Sequence, residues 1–244
     1  HSMMYLNERI DDLQRGGLRV IQRADAFRFG TDAVLLADFA APRRHDRVCD
    51  LGTGTGIIPL LLYARENTIS ADAVEIQPDM ADMAARSMAM NGLNERIRVL
   101  PGDLRSIRTL LPHARYDLVT CNPPYGKAGG TLLNPDASKR LARHEESCAI
   151  EDVACAAAWL LQNGGRLCCV FPAARMIELS DAMRKYRMAP KRIRMVHSRV
   201  EKAAHLCLME GMLDARPGLI IEPPLVIYDE NNAYTPELRR IYGL

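Results

Sequence analysis

Arg47-Val48-Cys49-Asp50-Leu51-Gly52-Thr53-Gly54-Thr55-Gly56 is an apolar run that breaks into three alternating glycines, with the apolar stretch from Ile57 to Leu62 directly behind it. A short apolar run bounded by glycines reads as a buried strand, and the longer segment beyond it as a helix. Glycines at that junction allow a tight turn and let a ligand approach the backbone closely. The Gly-x-Gly-x-Gly spacing ends at the helix start and differs from the Gly-x-Gly-x-x-Gly of dinucleotide folds. A purely structural turn and a nicotinamide-binding fold remain open alternatives at this point.

Outward from the turn, strand-like and helix-like segments alternate. Further strands are read at Ala71–Glu75, Arg96–Leu100, Tyr116–Cys121, Arg166–Phe171, Ile193–His197 and Leu206–Met212. Pro78 opens a helix with Met80, Met83, Ala84 and Met88 on one face, and Asn91-Gly92 stops it. Other helices fall near Ile150–Leu161, stopped by Asn163-Gly164-Gly165, and near Ala174–Tyr186; the polar stretch from Gly126 to Ser147 reads as a loop over a site. This alternation predicts an α/β fold with a mostly parallel, doubly wound sheet of seven strands. No helix separates the last two strands, so they should form an antiparallel edge. Residues 4–46 read as an N-terminal extension and residues 47–244 as the main domain. His1-Ser2-Met3 reads as a remnant ahead of Met4.

A hydrophobic fraction of 48% with 25% charged residues excludes a disordered chain. No apolar run is long enough to span a bilayer and no secretory leader is visible, so a cytoplasmic protein is expected. The seven cysteines are odd in number and include no Cys-x-x-Cys, which argues against a disulfide framework or a zinc ribbon. Most lie in apolar strand-like runs and are expected as buried hydrophobes; no metal site is expected. The net charge of +2 does not announce a nucleic-acid binder. Basic residues do cluster, around Lys191, Arg192, Arg194 and Lys202, and around Arg140, Arg143 and His144, with Lys127 close by. These are candidate RNA contacts or simply solvated surface.

Three further features carry chemistry. Glu75 ends the second strand roughly 20 residues beyond the glycine turn, the separation expected of an acid that bonds ribose hydroxyls. Asp103 follows the third strand, as a ligand group or as a helix cap. Asn122-Pro123-Pro124-Tyr125 follows the fourth strand. Two prolines stiffen that backbone. The Asn122 amide and the Pro123 carbonyl can accept hydrogen bonds from a planar amino group, and Tyr125 offers a face for a base.

The glycine turn resembles motif I of class I methyltransferases, and Asn-Pro-Pro-Tyr resembles the catalytic loop of their amino-methylating branch. That resemblance implies a Rossmann-like fold and S-adenosylmethionine as cosubstrate, with S-adenosylhomocysteine as product. The implied cosubstrate residues are Asp50, Gly52, Thr53, Gly54, Gly56, Glu75, Ile76, Asp103, Leu104 and Asn122, with Asn122, Pro123 and Tyr125 catalytic. Phe27-Arg28-Phe29-Gly30-Thr31-Asp32-Ala33-Val34-Leu35-Leu36, with Arg9-Ile10-Asp11-Asp12-Leu13 and Leu18-Arg19-Val20-Ile21-Gln22, and also Arg143-His144-Glu145, Pro223-Pro224-Leu225-Val226-Ile227-Tyr228 and Tyr234-Thr235-Pro236-Glu237-Leu238, are similar to the bacterial family that methylates N6 of adenine 37 in valine tRNA. The resemblance adds Phe29, Thr31 and Asp32 to the pocket, assigns the extension a part in it, and implies tRNA as substrate, with no membrane and no obligate protein partner. Ser198-Arg199-Val200-Glu201-Lys202-Ala203 is looser than the family form. Protein glutamine methylation, ribosomal guanine methylation and a noncatalytic RNA- or cosubstrate-binding role are the rivals. The short N-terminal segment argues against the first, and the intact Asn-Pro-Pro-Tyr against the last.

Overall fold

The computed structural model describes residues 5–25, 30–123 and 149–244. An antiparallel hairpin, β1 (Glu8–Asp12) and β2 (Arg19–Arg23), comes first and packs on a later helix. Then follow α1 (Thr31–Ala40), β3 (Arg47–Leu51), α2 (Ile57–Arg65), β4 (Ser70–Glu75), α3 (Pro78–Met90) and β5 (Ile97–Pro101). A 3-10 turn at Leu104–Ser106 leads into α4 (Ile107–Leu110) and β6 (Tyr116–Cys121). After the undescribed stretch come α5 (Ile150–Leu160), β7 (Leu161–Pro172), α6 (Met176–Lys185), β8 (Met188–His197) and β9 (Ala204–Leu213). Two short strands, β10 (Ile220–Ile221) and β11 (Leu225–Val226), and α7 (Pro236–Tyr242) complete the chain.

The main sheet has the order β10-β8-β9-β7-β6-β3-β4-β5, with β11 also pairing with β8. Seven long strands form it, as the sequence predicts, and the two short ones extend its rim to nine. The antiparallel hairpin edge is present, but β9 inserts between β7 and β8 and runs antiparallel to both. β8 therefore points the same way as β3 to β7.

Alternation along each strand builds one core on each face. Val48, Leu118 and Cys168 join the cluster under α1 and α2, whereas their neighbours Cys49, Val119 and Cys169 join the one under α5 and α6. This is the period of two that a pleated strand imposes. Leu13, Leu18 and Val20 of the hairpin region and most of α1 share the first core. The hairpin is fastened to α3, where Ser87 Oγ accepts the Ile21 amide at 2.8 Å and Arg86 grips Glu8 with two nitrogens at 2.6 Å.

The expected stop at Asn163-Gly164-Gly165 lies inside the structure of β7, which starts at Leu161. Tyr116 pairs with Leu161 but Leu118 with Arg166, so the glycine-containing residues form an irregular bulge rather than a turn outside the sheet. The described strand cysteines 49, 121, 168, 169 and 207 are buried, and burial pushes the thiols of Cys168 and Cys207 up to about 12. They are inert packing groups.

Candidate active site

β3 lies between β4 and β6, so the connections leave it in opposite directions there. Ligands of open α/β sheets bind in the crevice outside the carboxyl ends of the strands at such a switch point. The register aligns the strand ends: Leu51 pairs with Val74 on one side and with Cys121 on the other, and Glu75 pairs with Pro101. Gly52, Glu75, Gly102 and Asn122 therefore emerge side by side on four adjacent strands, each about 4.8 Å from the next.

The glycine turn is held from β4. The amides of Gly52 and Thr53 both donate to the Val74 carbonyl, at 2.9 and 3.0 Å. Gly52, Gly54 and Gly56 have φ of +70, +58 and +83°, the left-handed region where side chains are strained. Their reasons differ. A Cβ on Gly52 would meet nothing within 4 Å, so its surroundings are open; one on Gly56 would lie 2.6 Å from Met88 Cε and 3.4 Å from Ala84 Cβ. Gly56 thus brings the start of α2 against α3, and Gly52 leaves space in front of the backbone.

Glu75 is buried, and its carboxylate clamps the turn. Oε1 accepts the Gly54 amide and Oε2 the Gln77 amide, both at 2.8 Å. Each oxygen keeps a further acceptor site. Ile76 is half-buried beside it. Asp50 is fully buried and takes a hydrogen bond from Thr120 Oγ1 at 2.8 Å, which ties β3 to β6 beneath the site. Thr120 was not singled out by the sequence; a polar residue within the run Leu118-Val119-Thr120-Cys121 was its one signal.

Asp103 caps the 3-10 turn through the Arg105 amide at 2.9 Å and pairs with the Arg105 guanidinium at 2.5 Å. The capping role is therefore real, and the carboxylate is partly exposed. Leu104 is buried behind it. Asn122 is half-buried and Pro123 buried, directly beyond β6. Thr31 and Asp32 sit half-buried in the first turn of α1, and Thr31 Oγ1 accepts a hydrogen bond from Tyr242 at 3.1 Å. Phe29, Tyr125, Lys127, Arg140, Arg143 and His144 lie outside the described residues.

The other basic candidates divide by environment. Arg192 donates to Glu210, Glu222 and the Phe39 carbonyl, and stacks over the Phe39 ring. Arg194 holds Glu237 and the Pro223 carbonyl, and Lys191 donates to the Arg216 carbonyl. Lys202 is exposed in the turn between β8 and β9.

Known proteins are similar over nearly the whole chain. Residues 24–192 match the methyltransferase small domain family. The tRNA1(Val) (adenine(37)-N6)-methyltransferase of Porphyromonas gingivalis is 32% identical over 231 residues, covering 90% of this chain and 89% of the relative. The protein of the same name from Tolumonas auensis is 35% identical over 216 residues, covering 87% and 86%. A predicted O-methyltransferase from Agrobacterium tumefaciens, protein Atu636, superposes with a TM-score of 0.73 at 25% identity, covering 87% of this chain and 96% of that one.

Fold, strand-end geometry and relatives together define an S-adenosylmethionine-dependent class I methyltransferase. Within that class the chain belongs to the tRNA1(Val) (adenine(37)-N6)-methyltransferase family.

The residues present suit the cosubstrate. Thr53 Oγ1 is buried in the glycine turn without a hydrogen-bond partner among the described residues, which leaves a polar atom available to a ligand. The open space at Gly52 admits the aminoacyl part, and the remaining acceptor sites of Glu75 suit ribose hydroxyls. Among the described residues no group of three His, Cys, Asp or Glu side chains is placed to hold a metal ion, and no helix is long and apolar enough to cross a membrane.

Proposed function

We propose that this enzyme methylates N6 of adenine in tRNA, at adenosine 37 of valine tRNA. The observation that carries the reading is the juxtaposition of Gly52 and Asn122 on neighbouring strands, fixed by the Leu51–Cys121 register. It sets an amino-group acceptor beside a cosubstrate cradle. The activity of the family supplies the substrate, and a tRNA substrate supports a cytoplasmic enzyme.

Bound S-adenosylmethionine supplies an electrophilic methyl group on a sulfonium and departs as S-adenosylhomocysteine. Glu75 and the glycine turn fix its position, with Asp50, Thr53, Ile76, Asp103, Leu104, Thr31, Asp32 and Phe29 assigned to the same pocket. This gives residues 4–46 a share in the site otherwise built by residues 47–244. The Asn122 side-chain oxygen and the Pro123 carbonyl accept the two amino hydrogens of adenine. Those bonds draw electron density onto the nitrogen and turn its lone pair toward the methyl carbon. The nitrogen–carbon bond forms as the carbon–sulfur bond breaks, and the amino proton leaves afterwards, so no general base is needed before attack. Tyr125 stacks on the base, which must leave its own stack to enter the slot. Rate enhancement comes from positioning and fixed dipoles. Lys127, Arg140, Arg143, His144 and Lys202 are assigned to the RNA backbone.

Transfer of labelled methyl groups to bulk tRNA, ribosomal RNA and release factor, followed by nucleoside analysis, tests the reading. N6-methyladenosine confined to tRNA is the expected product. Label in protein or in guanine would overturn it.

A further inference from the structure

The carboxy-terminal similarity stretches, Pro223–Tyr228 and Tyr234–Leu238, have no role in the methyl-transfer site. The structure gives them one. Tyr228 and Tyr234 face each other across an antiparallel bridge, their rings stacked with centroids 5.6 Å apart and 21° between planes. Tyr234 stacks in turn on Tyr242, at 5.4 Å and 15°. Three tyrosines thus form a ladder. Its outer end is Tyr228, exposed and covered by the Arg199 guanidinium at 5.6 Å. Its inner end, Tyr234 and Tyr242, lines a cavity of about 470 Å³, within the size range of small-ligand sites.

Gln14 and Arg15 of the β1–β2 turn, Thr31 and Val34 of α1, and Leu244 are among its other lining residues. Thr31, assigned above to the cosubstrate pocket, is a shared wall, whereas no residue of the glycine turn, and none of Glu75, Asp103 and Asn122, belongs to the cavity. Among its lining residues Arg15 carries the one cationic side chain, and a cluster of Arg65, Arg240 and Asp38 lies behind it. Arg15 and Arg65 both donate to the Ile241 carbonyl, at 2.5 and 3.2 Å, and Arg240 approaches the same Asp38 carboxylate that Arg65 holds. Arg15 has no carboxylate partner among the described residues. Burial and the neighbouring Arg65 cation lower its pKa, and the Asp38 carboxylate opposes them.

Aromatic faces beside an amide and a guanidinium that makes no ion pair among the described residues are the chemistry that receives a base and its phosphate. β11 pairs with the carboxyl end of β8, at Val226 and His197, so the ladder rises on the same sheet edge as Asn122. Four strand spacings of about 4.8 Å put β11, with Tyr228 just beyond it, about 20 Å from the end of β6. We propose that the cavity receives one unpaired nucleotide of the RNA substrate, away from the target adenine, with its base against Tyr234 and Tyr242 and its phosphate at Arg15. This rests on the RNA-substrate reading.

The test is photocrosslinking of the full chain to a short oligouridine carrying 4-thiouridine, with and without saturating S-adenosylhomocysteine. Such an RNA has no adenine, so methyl transfer plays no part in the readout. Adducts are expected on the peptides holding Tyr234 and Tyr242 in both conditions. Arg15→Glu should reduce them roughly tenfold, the loss of one charge-assisted contact. Gln14→Glu, on an exposed turn residue, should reduce them severalfold even if Arg15→Glu fails to fold. Adducts confined to other peptides, or unmoved by either variant, would overturn the site. So would loss on adding S-adenosylhomocysteine, which would make the cavity part of the cosubstrate pocket, or equal competition by free UMP, which would make it a mononucleotide site. A chain that crosslinks here yet leaves tRNA unmethylated would keep this site and remove the methyl-transfer reading.

Discussion

Glu75 Oε1 accepts the Gly54 amide at 2.8 Å, so the acid assigned to the cosubstrate also shapes the turn that cradles it. Its other oxygen does the same for Gln77 at the start of α3. Glu75→Gln replaces one acceptor with a donor that faces an amide N–H. Losing a hydrogen bond to a charged group in a buried setting costs about 1.5–3 kcal/mol. Affinity for S-adenosylhomocysteine, measured by calorimetry, should fall roughly tenfold or more, with a lowered melting temperature. Unchanged affinity would separate Glu75 from the pocket.

Asn122→Ala should remove turnover and spare the cosubstrate. By analogy with the loss of one preorganised polar contact at a reacting centre, kcat should drop about a hundredfold or more. The dissociation constant for S-adenosylhomocysteine should stay within a few-fold. Equal loss of both would assign Asn122 to cosubstrate binding alone.

Gly56→Ala places a Cβ 2.6 Å from Met88 Cε on a residue with φ of +83°. Strain and overpacking together should destabilise by about 1–3 kcal/mol in chemical denaturation. Adding Met88→Ala relieves the contact but not the backbone strain, and removes buried methionine packing. A double variant more stable than the sum of the two single effects predicts would show that the contact is real. Strict additivity would not.

Arg192 and Lys202 should separate in their effects. Arg192 is built into the fold, so Arg192→Ala should lower stability and leave the salt dependence of tRNA binding unchanged. Lys202→Ala should leave the melting temperature unchanged and flatten the salt slope by about 0.7–0.9 if it neutralises one phosphate. Reversed outcomes would exchange the two assignments.

Glu210 sits buried between Arg166, at 2.8 Å, and Arg192, at 3.2 Å. Burial raises its pKa, but the hydrogen bond from Arg166 and the two cations outweigh that, and the net shift is downward. A carboxyl whose folded pKa is depressed contributes its stability above the ordinary carboxylate range, and that contribution is lost as pH falls through the lower, folded value. Stability should therefore decline below about pH 4.5, the ordinary glutamate range. Glu210→Gln should show a shallower decline there. At neutral pH it should be less stable by about 3 kcal/mol, because the buried Arg166 loses its carboxylate partner at 2.8 Å and the half-buried Arg192 keeps only Glu222 as an acid partner among the described residues. An unaltered pH profile would remove Glu210 from the acid-sensitive groups.

The strand ends of the site were legible because their chemistry is local: glycines where a turn needs positive φ, an acid closing β4, and Asn-Pro directly beyond β6. Partnerships across the fold were not. Nothing in the sequence ties Glu75 to Gly54, since only the β3–β4 register brings them together. The Lys191–Lys202 stretch displays charge but not the acids that neutralise it, and Glu210 on β9 and Glu222 just after β10 come later in the chain. Both ends of the tyrosine ladder are visible as residues, yet their stacking depends on α7 folding back onto α1. The seven long strands followed from periodicity. The interior position of β9 did not, because a hairpin reads the same whichever of its arms meets the sheet.

That position bears on synthesis. Among the described residues the sheet partners of β8 are β9, β10 and β11, all later in the chain, and the edge of β7 facing them stays open until β9 is made. As the chain grows from its amino end, the cosubstrate half can close before the ribosome reaches β9. Until then β7 exposes an unpaired apolar edge rich in Leu167, Val170 and Phe171. A pause or premature stop between β8 and β9 would release a chain with a formed glycine turn and an aggregation-prone flank, so the final strands act as the enzyme's own shield at birth.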